Sequence, residues 1–169
     1  MANLIYQKRG AITRWKTSGG TYTITPTSVA NAAGRLGGQG DIGPYTTARS
    51  RLFRWYAETK VQATTPVVGK TVDIYLAWWN NDDATNEADA DVGTADAAFA
   101  TEARLRQLHY IGSIILRSTS TTDVHTGSGT CLIPTRYVSP VWWNGTGASL
   151  SATAGDHFMY LCPIPDEIQ

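Results

Sequence analysis

The chain has few charged residues and no long apolar run, and each shortage excludes a class of protein. Charged residues make up 17% of its 169 residues and apolar residues 42%, which argues against a disordered chain or a coiled coil. No apolar stretch approaches the roughly 20 residues that a membrane-spanning helix needs. Residues 1–10 also lack the apolar run of a secretory signal. We therefore expect one folded domain that is made in the cytoplasm and contacts no membrane.

Cysteine and histidine are also scarce. Cys131 and Cys162 have no metal-binding spacing, and in a reducing cytoplasm they would remain thiols. His109, His125 and His157 include no pair at the helical or strand spacing that would present two imidazoles to one metal. The sequence thus predicts no metal and no cofactor.

Motifs for catalysis and nucleotide binding are incomplete. Asp156 precedes His157, but no G-x-S-x-G motif supplies a nucleophile, so a hydrolase would need an active site assembled only by folding. Gly38, Gly40 and Gly43 satisfy G-x-G-x-x-G, yet no strand and helix flank them as in a nucleotide-binding unit. We expect a protein that is not an enzyme.

The net charge of zero conceals an uneven distribution of charge along the chain. Residues 1–70 hold ten of the fourteen lysines and arginines but only two of the fourteen acids. Such an asymmetry can orient a protein on a charged partner, and the alternative is that the charges average out over the folded surface. Nucleic acid is not the expected partner because the basic residues form no stripe.

Alternation of apolar and polar residues is the clearest local signal and predicts strands. Residues 51–61 place Phe53, Trp55 and Ala57 on one face, and a turn at 66–70 leads to a second strand at 72–79. We expect these two strands to pair. Further strands are predicted at 22–24, 110–117, 131–133, 137–143 and 157–162.

These strands are separated by turn-rich loops with little helix, which predicts an all-β fold, an antiparallel sandwich or barrel. We expect an N-terminal arm over residues 1–20 and one β-sandwich domain over residues 21–169. Asn144-Gly145 predicts a hairpin turn that joins 141–143 to 148–150.

A long insertion at residues 80–107 interrupts the strand pattern. Ala98, Glu102 and Leu105 lie at near-helical spacing and predict a short helix at its end. Its acids could form a solvated loop, an irregular calcium site or a contact for a basic neighbour. These acids are Asp82, Asp83, Glu87, Asp89, Asp91 and Asp96.

Two tryptophan pairs, 78–79 and 142–143, fall on predicted strands. Neighbouring residues on a strand point to opposite faces, so one indole of each pair should face outward. We assign Trp79 and Trp142 to this role, as interface anchors or sugar-stacking platforms. The alternative is that a loop of the same chain covers them.

The last third of the chain resembles a known group of proteins. The runs 137–151, 156–161 and 163–169, together with residues 51–79, resemble small jelly-roll virion proteins of tailed phages, the head decoration and accessory capsid proteins. The resemblance implies a protein made in the host cytoplasm that joins the virion, commonly as a homotrimer. Its partners would be the major capsid protein or other virion proteins.

Two hypotheses for function follow. In the first, the protein binds and stabilises an assembled phage head, and Lys8, Arg9, Arg14 and Lys16 of the N-terminal arm contact an acidic shell. In the second, it is a carbohydrate-binding module or a receptor-binding virion component that uses the exposed tryptophans.

Overall fold

A computed structural model describes residues 11–44, 50–62, 66–79 and 88–164 of the chain. These residues form eleven strands and three short 3₁₀ helices. The strands are β1 (Thr13–Lys16), β2 (Tyr22–Thr23), β3 (Ala33–Leu36), β4 (Gly40–Asp41), β5 (Leu52–Thr59), β6 (Thr71–Trp78), β7 (Ala97–Phe99), β8 (His109–Ile115), β9 (His125–Leu132), β10 (Tyr137–Asn144) and β11 (Phe158–Pro163). The 3₁₀ helices are Asp89–Asp91, Glu102–Gln107 and Ala154–Asp156.

The strands form two sheets packed face to face, which confirms the all-β sandwich. Sheet A has the order β2-β1-β11-β5-β9, and sheet B has the order β7-β3-β10-β6-β8, with β4 also paired to β10. Apart from the parallel pair β1–β2, all pairs are antiparallel. The pairing is nested, because β1 pairs with β11, β3 with β10, β5 with β9 and β6 with β8.

The core between the sheets is built mainly from every second residue along the strands, as the period-two pattern predicts. Phe53, Trp55 and Ala57 on β5 are all buried, whereas Leu52 and Arg54, which point to the other face of the strand, are exposed. Trp15 of β1 and Trp142 of β10 lie in the same core and are almost fully buried.

A second apolar cluster covers the outer face of sheet B. Val141 and Trp143 of β10 pack there against Phe99 of β7. Leu105 of the 3₁₀ helix Glu102–Gln107 and Leu108, which follows this helix, belong to the same cluster. The insertion predicted at 80–107 therefore supplies a third layer and ends in a short helix, although Ala98 lies on β7 and the helix is of the 3₁₀ type.

The expected pairing of the strands near 51–61 and 72–79 is wrong. β5 pairs with β11 and β9 in sheet A, whereas β6 pairs with β10 and β8 in sheet B. Alternation fixes which side chains of a strand face inward, but it carries no information about the neighbouring strand.

The expected hairpin at Asn144-Gly145 is also wrong. β10 pairs with β3 and β6, and Leu150 forms a bridge to Val61. Asn144 is buried, and its side-chain amide donates hydrogen bonds to the carbonyls of Val29 and Ala148. Its role is to hold neighbouring loops together.

The boundary of the N-terminal arm needs correction. Residues 13–16 form β1, which pairs with β11 inside sheet A, and residues 22–23 add β2 beside it. Arg14 and Lys16 are therefore strand residues. Lys8 and Arg9 lie outside the described residues.

Candidate functional site

The outer faces of the two sheets differ in what lies over them. The segment that carries Leu105 and Leu108 packs on the outer face of sheet B, against Phe99 and Trp143 of that sheet. On sheet A, the outward side chains of β1, β11, β5 and β9 form the surface, and they are exposed or half-buried. The outer face of sheet A is the candidate functional site.

Strand alternation points two basic residues out of this face. Thr13 and Trp15 are buried. Because successive side chains of a strand point to opposite faces, Arg14 and Lys16 face outward. The register of sheet A then aligns Arg14 with Tyr160, and Lys16 with Phe158. Two cations are thereby placed beside two aromatic rings.

A third ring joins this group from β5. Tyr56 lies opposite Tyr160 in the register, and their ring centroids are 6.2 Å apart. Phe158 and Tyr160 stack with centroids 4.9 Å apart. We call this group the aromatic–cationic patch: Arg14, Lys16, Tyr56, Phe158 and Tyr160.

The cations lie over the rings within the distance at which a ring face attracts a positive charge. The guanidinium carbon of Arg14 is 5.5 Å from the centre of the Tyr160 ring. Lys16 Nζ is 5.1 Å from the centre of the Phe158 ring and 5.7 Å from that of Tyr160. These contacts hold long, mobile side chains against the sheet and expose their charges to a partner.

The surroundings of the patch add one acid, one more cation and apolar area. The Tyr56 hydroxyl donates to Glu58 Oε2 at 3.0 Å, and the pKa of Tyr56 is raised by desolvation and by this hydrogen bond. Arg54 is exposed on the same face of β5. Leu52 and Leu132, which face each other in the register, are 38% and 59% exposed. The face is thus basic, aromatic and apolar, a composition suited to binding a protein surface.

The tryptophans assigned to exposed positions are buried, so that assignment is wrong. Trp142 is 1% exposed and lies in the core between the sheets. Trp79 is 2% exposed and forms a bridge to Ala88 of the insertion. Trp143 does point away from the core, but the third layer covers it. Sequence alternation could not reveal that layer, which comes from a distant part of the chain.

His157, the histidine beside an aspartate, is part of a buried polar contact. Its Nε2 lies 2.9 Å from the Ser151 carbonyl oxygen. Because a carbonyl oxygen can only accept a hydrogen bond, Nε2 carries the proton of the neutral ring. Nδ1 then accepts a hydrogen bond from the Thr59 hydroxyl at 2.8 Å. Burial lowers the pKa of His157. Asp156 instead binds Lys60 and the Ser151 hydroxyl. Thr59 and His157 are both almost fully buried, so these groups join strands and offer no surface to a substrate.

The other histidines lie in separate environments. His109 stacks on Trp78 with ring centroids 3.2 Å apart, and its Nε2 is 3.1 Å from Asp89 Oδ2. His125 is buried and its Nδ1 accepts a hydrogen bond from the backbone of Arg117.

Of the six acids that could have formed a calcium site, the three that the structure describes have partners within the chain. Asp89 accepts a hydrogen bond from the backbone of Trp78, and Asp96 binds Arg35 at 2.6 Å. Asp91 lies 3.6 Å from Arg104. Asp82, Asp83 and Glu87 lie outside the described residues. Across residues 11–44, 50–62, 66–79 and 88–164, no group of three potential ligands is placed to hold a metal ion.

The glycines of the G-x-G-x-x-G sequence have structural roles. Gly40 lies in β4, where an added Cβ would be 2.4 Å from Cζ2 of Trp15. Gly38 accepts a hydrogen bond from Trp15 Nε1 at 2.8 Å, and Gly43 has a φ of 99°. The segment wraps an indole and makes a turn.

Cys131 and Cys162 are free thiols, as expected. Burial raises the pKa of Cys131 to about 12, which leaves it unreactive at neutral pH. None of the helices in the described part of the chain is long and apolar enough to cross a membrane.

Comparison with family models, with curated proteins and with solved structures finds no match to this chain. The function is therefore inferred from the fold and from the chemistry of its surfaces.

Proposed function

We propose that this chain is a structural virion protein that docks on an assembled phage head through the outer face of sheet A. The observation that carries the proposal is the aromatic–cationic patch, which lies on a sheet face bordered by exposed leucines. Its partner is an acidic, partly apolar surface on the major capsid protein or another virion protein.

The strand order supports a jelly roll. A jelly roll is one long antiparallel hairpin rolled into two sheets, so strands equally far from its ends pair together. The pairs β1–β11, β3–β10, β5–β9 and β6–β8 have this nested order, and they alternate between sheets A and B. Viral capsid domains are among the proteins that use this architecture.

The chemistry of the patch explains how docking would work. Tyrosine and arginine are the residues that contribute most often to binding energy at protein interfaces. Arg14 and Lys16 attract an acidic shell, which speeds association, and the rings of Tyr56, Phe158 and Tyr160 provide apolar area to bury. This proposal keeps Arg14 and Lys16 as capsid contacts but places them on a sheet.

The test is co-sedimentation of the purified protein with intact and stripped heads of the phage that encodes it. The double variant Arg14→Glu, Lys16→Glu should lose attachment, with affinity at least about tenfold lower. The matched control is Lys70→Glu, Arg117→Glu, which makes the same change of charge at exposed positions near sheet B. Wild-type attachment by the patch variant, or equal loss in both variants, would contradict the proposal.

A second variant separates docking from folding. Ser128 is exposed on β9 opposite Tyr56 and is not one of the five residues of the patch. Ser128→Glu adds a negative charge beside the patch and should weaken attachment while leaving thermal unfolding unchanged. Light scattering of the same preparations measures the oligomer, which we propose is a homotrimer.

A further inference from the structure

A groove lies on the other side of the sandwich, between the 3₁₀ helix Glu102–Gln107 and the strands β6 and β8. Its volume is about 640 Å³, which falls within the range of ligand-binding clefts. Its lining includes Tyr75, Glu102, Leu105, Arg106, Leu108 and Tyr110.

Tyr110 is the most exposed aromatic side chain of the groove, at 58% of its surface. Its ring meets the Tyr75 ring edge to face, with centroids 5.4 Å apart. Ser113 donates a hydrogen bond to Asp73 Oδ1, so the Tyr110 hydroxyl donates to Ser113 Oγ at 2.6 Å. The Tyr110 ring is therefore exposed and held in one orientation. Stacking of a ligand on this ring costs little additional conformational entropy of the side chain.

The groove combines this ring with apolar and charged groups. Leu105 and Leu108 are buried beneath it, and Glu102 and Arg106 are exposed four residues apart on one 3₁₀ segment. Glu102 supplies hydrogen-bond acceptors, whereas Arg106 supplies donors in a planar fork. One aromatic platform with both kinds of polar group beside it can bind a ligand that has an apolar face and a rim of hydroxyls.

We propose that this groove binds a short oligosaccharide. A sugar ring presents C–H groups to the Tyr110 ring and hydroxyls to Glu102 and Arg106. A phosphate ligand would meet the carboxylate of Glu102, and a purely apolar ligand would make no use of the hydrogen-bonding groups of Glu102 and Arg106. The inference is independent of capsid docking, and docking through sheet A would leave this groove on the side that faces away from the head.

The test is saturation-transfer NMR with the full chain and a panel of soluble saccharides: cellotetraose, maltotetraose, chitotriose, sialyllactose and a rhamnose oligosaccharide. At least one should bind at millimolar concentration or better. Tyr110→Ala should bind about tenfold more weakly or worse, because it removes the stacking surface. Val124→Ala, which shortens a side chain that is 47% exposed and lies outside both the groove and the patch, is the control and should bind as the wild type does.

Glu102→Gln provides a second readout, because it keeps the shape of an exposed side chain and removes its charge. It should weaken binding of the same saccharide and leave thermal unfolding unchanged. No binding by any saccharide of the panel, or equal binding by wild type and Tyr110→Ala, would overturn the proposal. Neither result bears on co-sedimentation with heads, so the two proposals fail separately.

Discussion

Single residues decide how tightly the sheets approach each other, and Trp55 is the clearest case. Its indole fills the space left by Gly112 on β8 and by Gly127 and Gly129 on β9. An added Cβ at Gly112 would lie 2.4 Å from Cζ2 of Trp55, and this residue has a φ of 149°. The three glycines therefore leave the space that the Trp55 side chain occupies.

Replacing Gly112 with alanine should lower the free energy of unfolding by at least about 2 kcal/mol, because the new methyl group both clashes and strains the backbone. Urea denaturation measures the change. Gly155→Ala is the control, since nothing lies within 4 Å of a Cβ there. Equal stability of the two variants would show that Trp55 can move aside.

His157 makes stability depend on pH. Burial lowers its pKa from the ordinary value of 6.5, so the unfolded chain binds a proton at a pH where the folded chain does not. Stability should therefore fall as pH drops below about 6.5, and the buried His125, whose pKa is also lowered, adds to the effect.

Unfolding free energies measured between pH 7 and pH 5 test this expectation. Asp96 and Asp156 have lowered pKa values and stay ionised over that range, so the carboxylates of these two residues do not confuse the result. NMR titration of His157 in the folded protein should give a midpoint below the ordinary value of 6.5, because burial lowers its pKa. A flat stability profile with a His157 midpoint near 6.5 would refute the assignment.

At the scale of elements, the third layer depends on a short 3₁₀ helix. Leu105 is 8% exposed and packs in the cluster that covers Trp143. Leu105→Ala should destabilise the fold by about 2–3 kcal/mol and should shift tryptophan fluorescence to longer wavelength as Trp143 meets water. Leu132→Ala, at a leucine that is 59% exposed, should change neither property, and an unshifted spectrum in Leu105→Ala would show that the layer does not depend on this side chain.

Sequence patterns predicted elements better than they predicted neighbours. The alternation around Trp55 located β5 and its solvent-facing side, including Tyr56. Burial of one face of a strand produces an alternating pattern of apolar and polar residues in the local sequence. The short strands β3, β4 and β7 are rich in glycine or alanine, which give no such signal. The patch was missed because Tyr56, Phe158 and Arg14 meet only through the register of three strands that are far apart in the chain.

The whole molecule has two faces with different chemistry on opposite sides of one core. Sheet A presents cations over aromatic rings, and sheet B has a covering layer with a tyrosine-lined groove. The sequence predicted Arg14 and Lys16 as contact residues but placed them on an N-terminal arm, whereas they lie on β1 of sheet A. The groove could not be predicted, since Tyr75 and Tyr110 come together only when β6 pairs with β8.

The position of β11 has a consequence for biosynthesis. This strand lies between β1 and β5 in sheet A, although it is the last of the described strands to be translated. While β11 is still inside the ribosome, no strand links β1 to β5 in sheet A, and the nascent chain exposes apolar surface. We expect the sandwich to close only after β11, the last of the described strands, has left the ribosome.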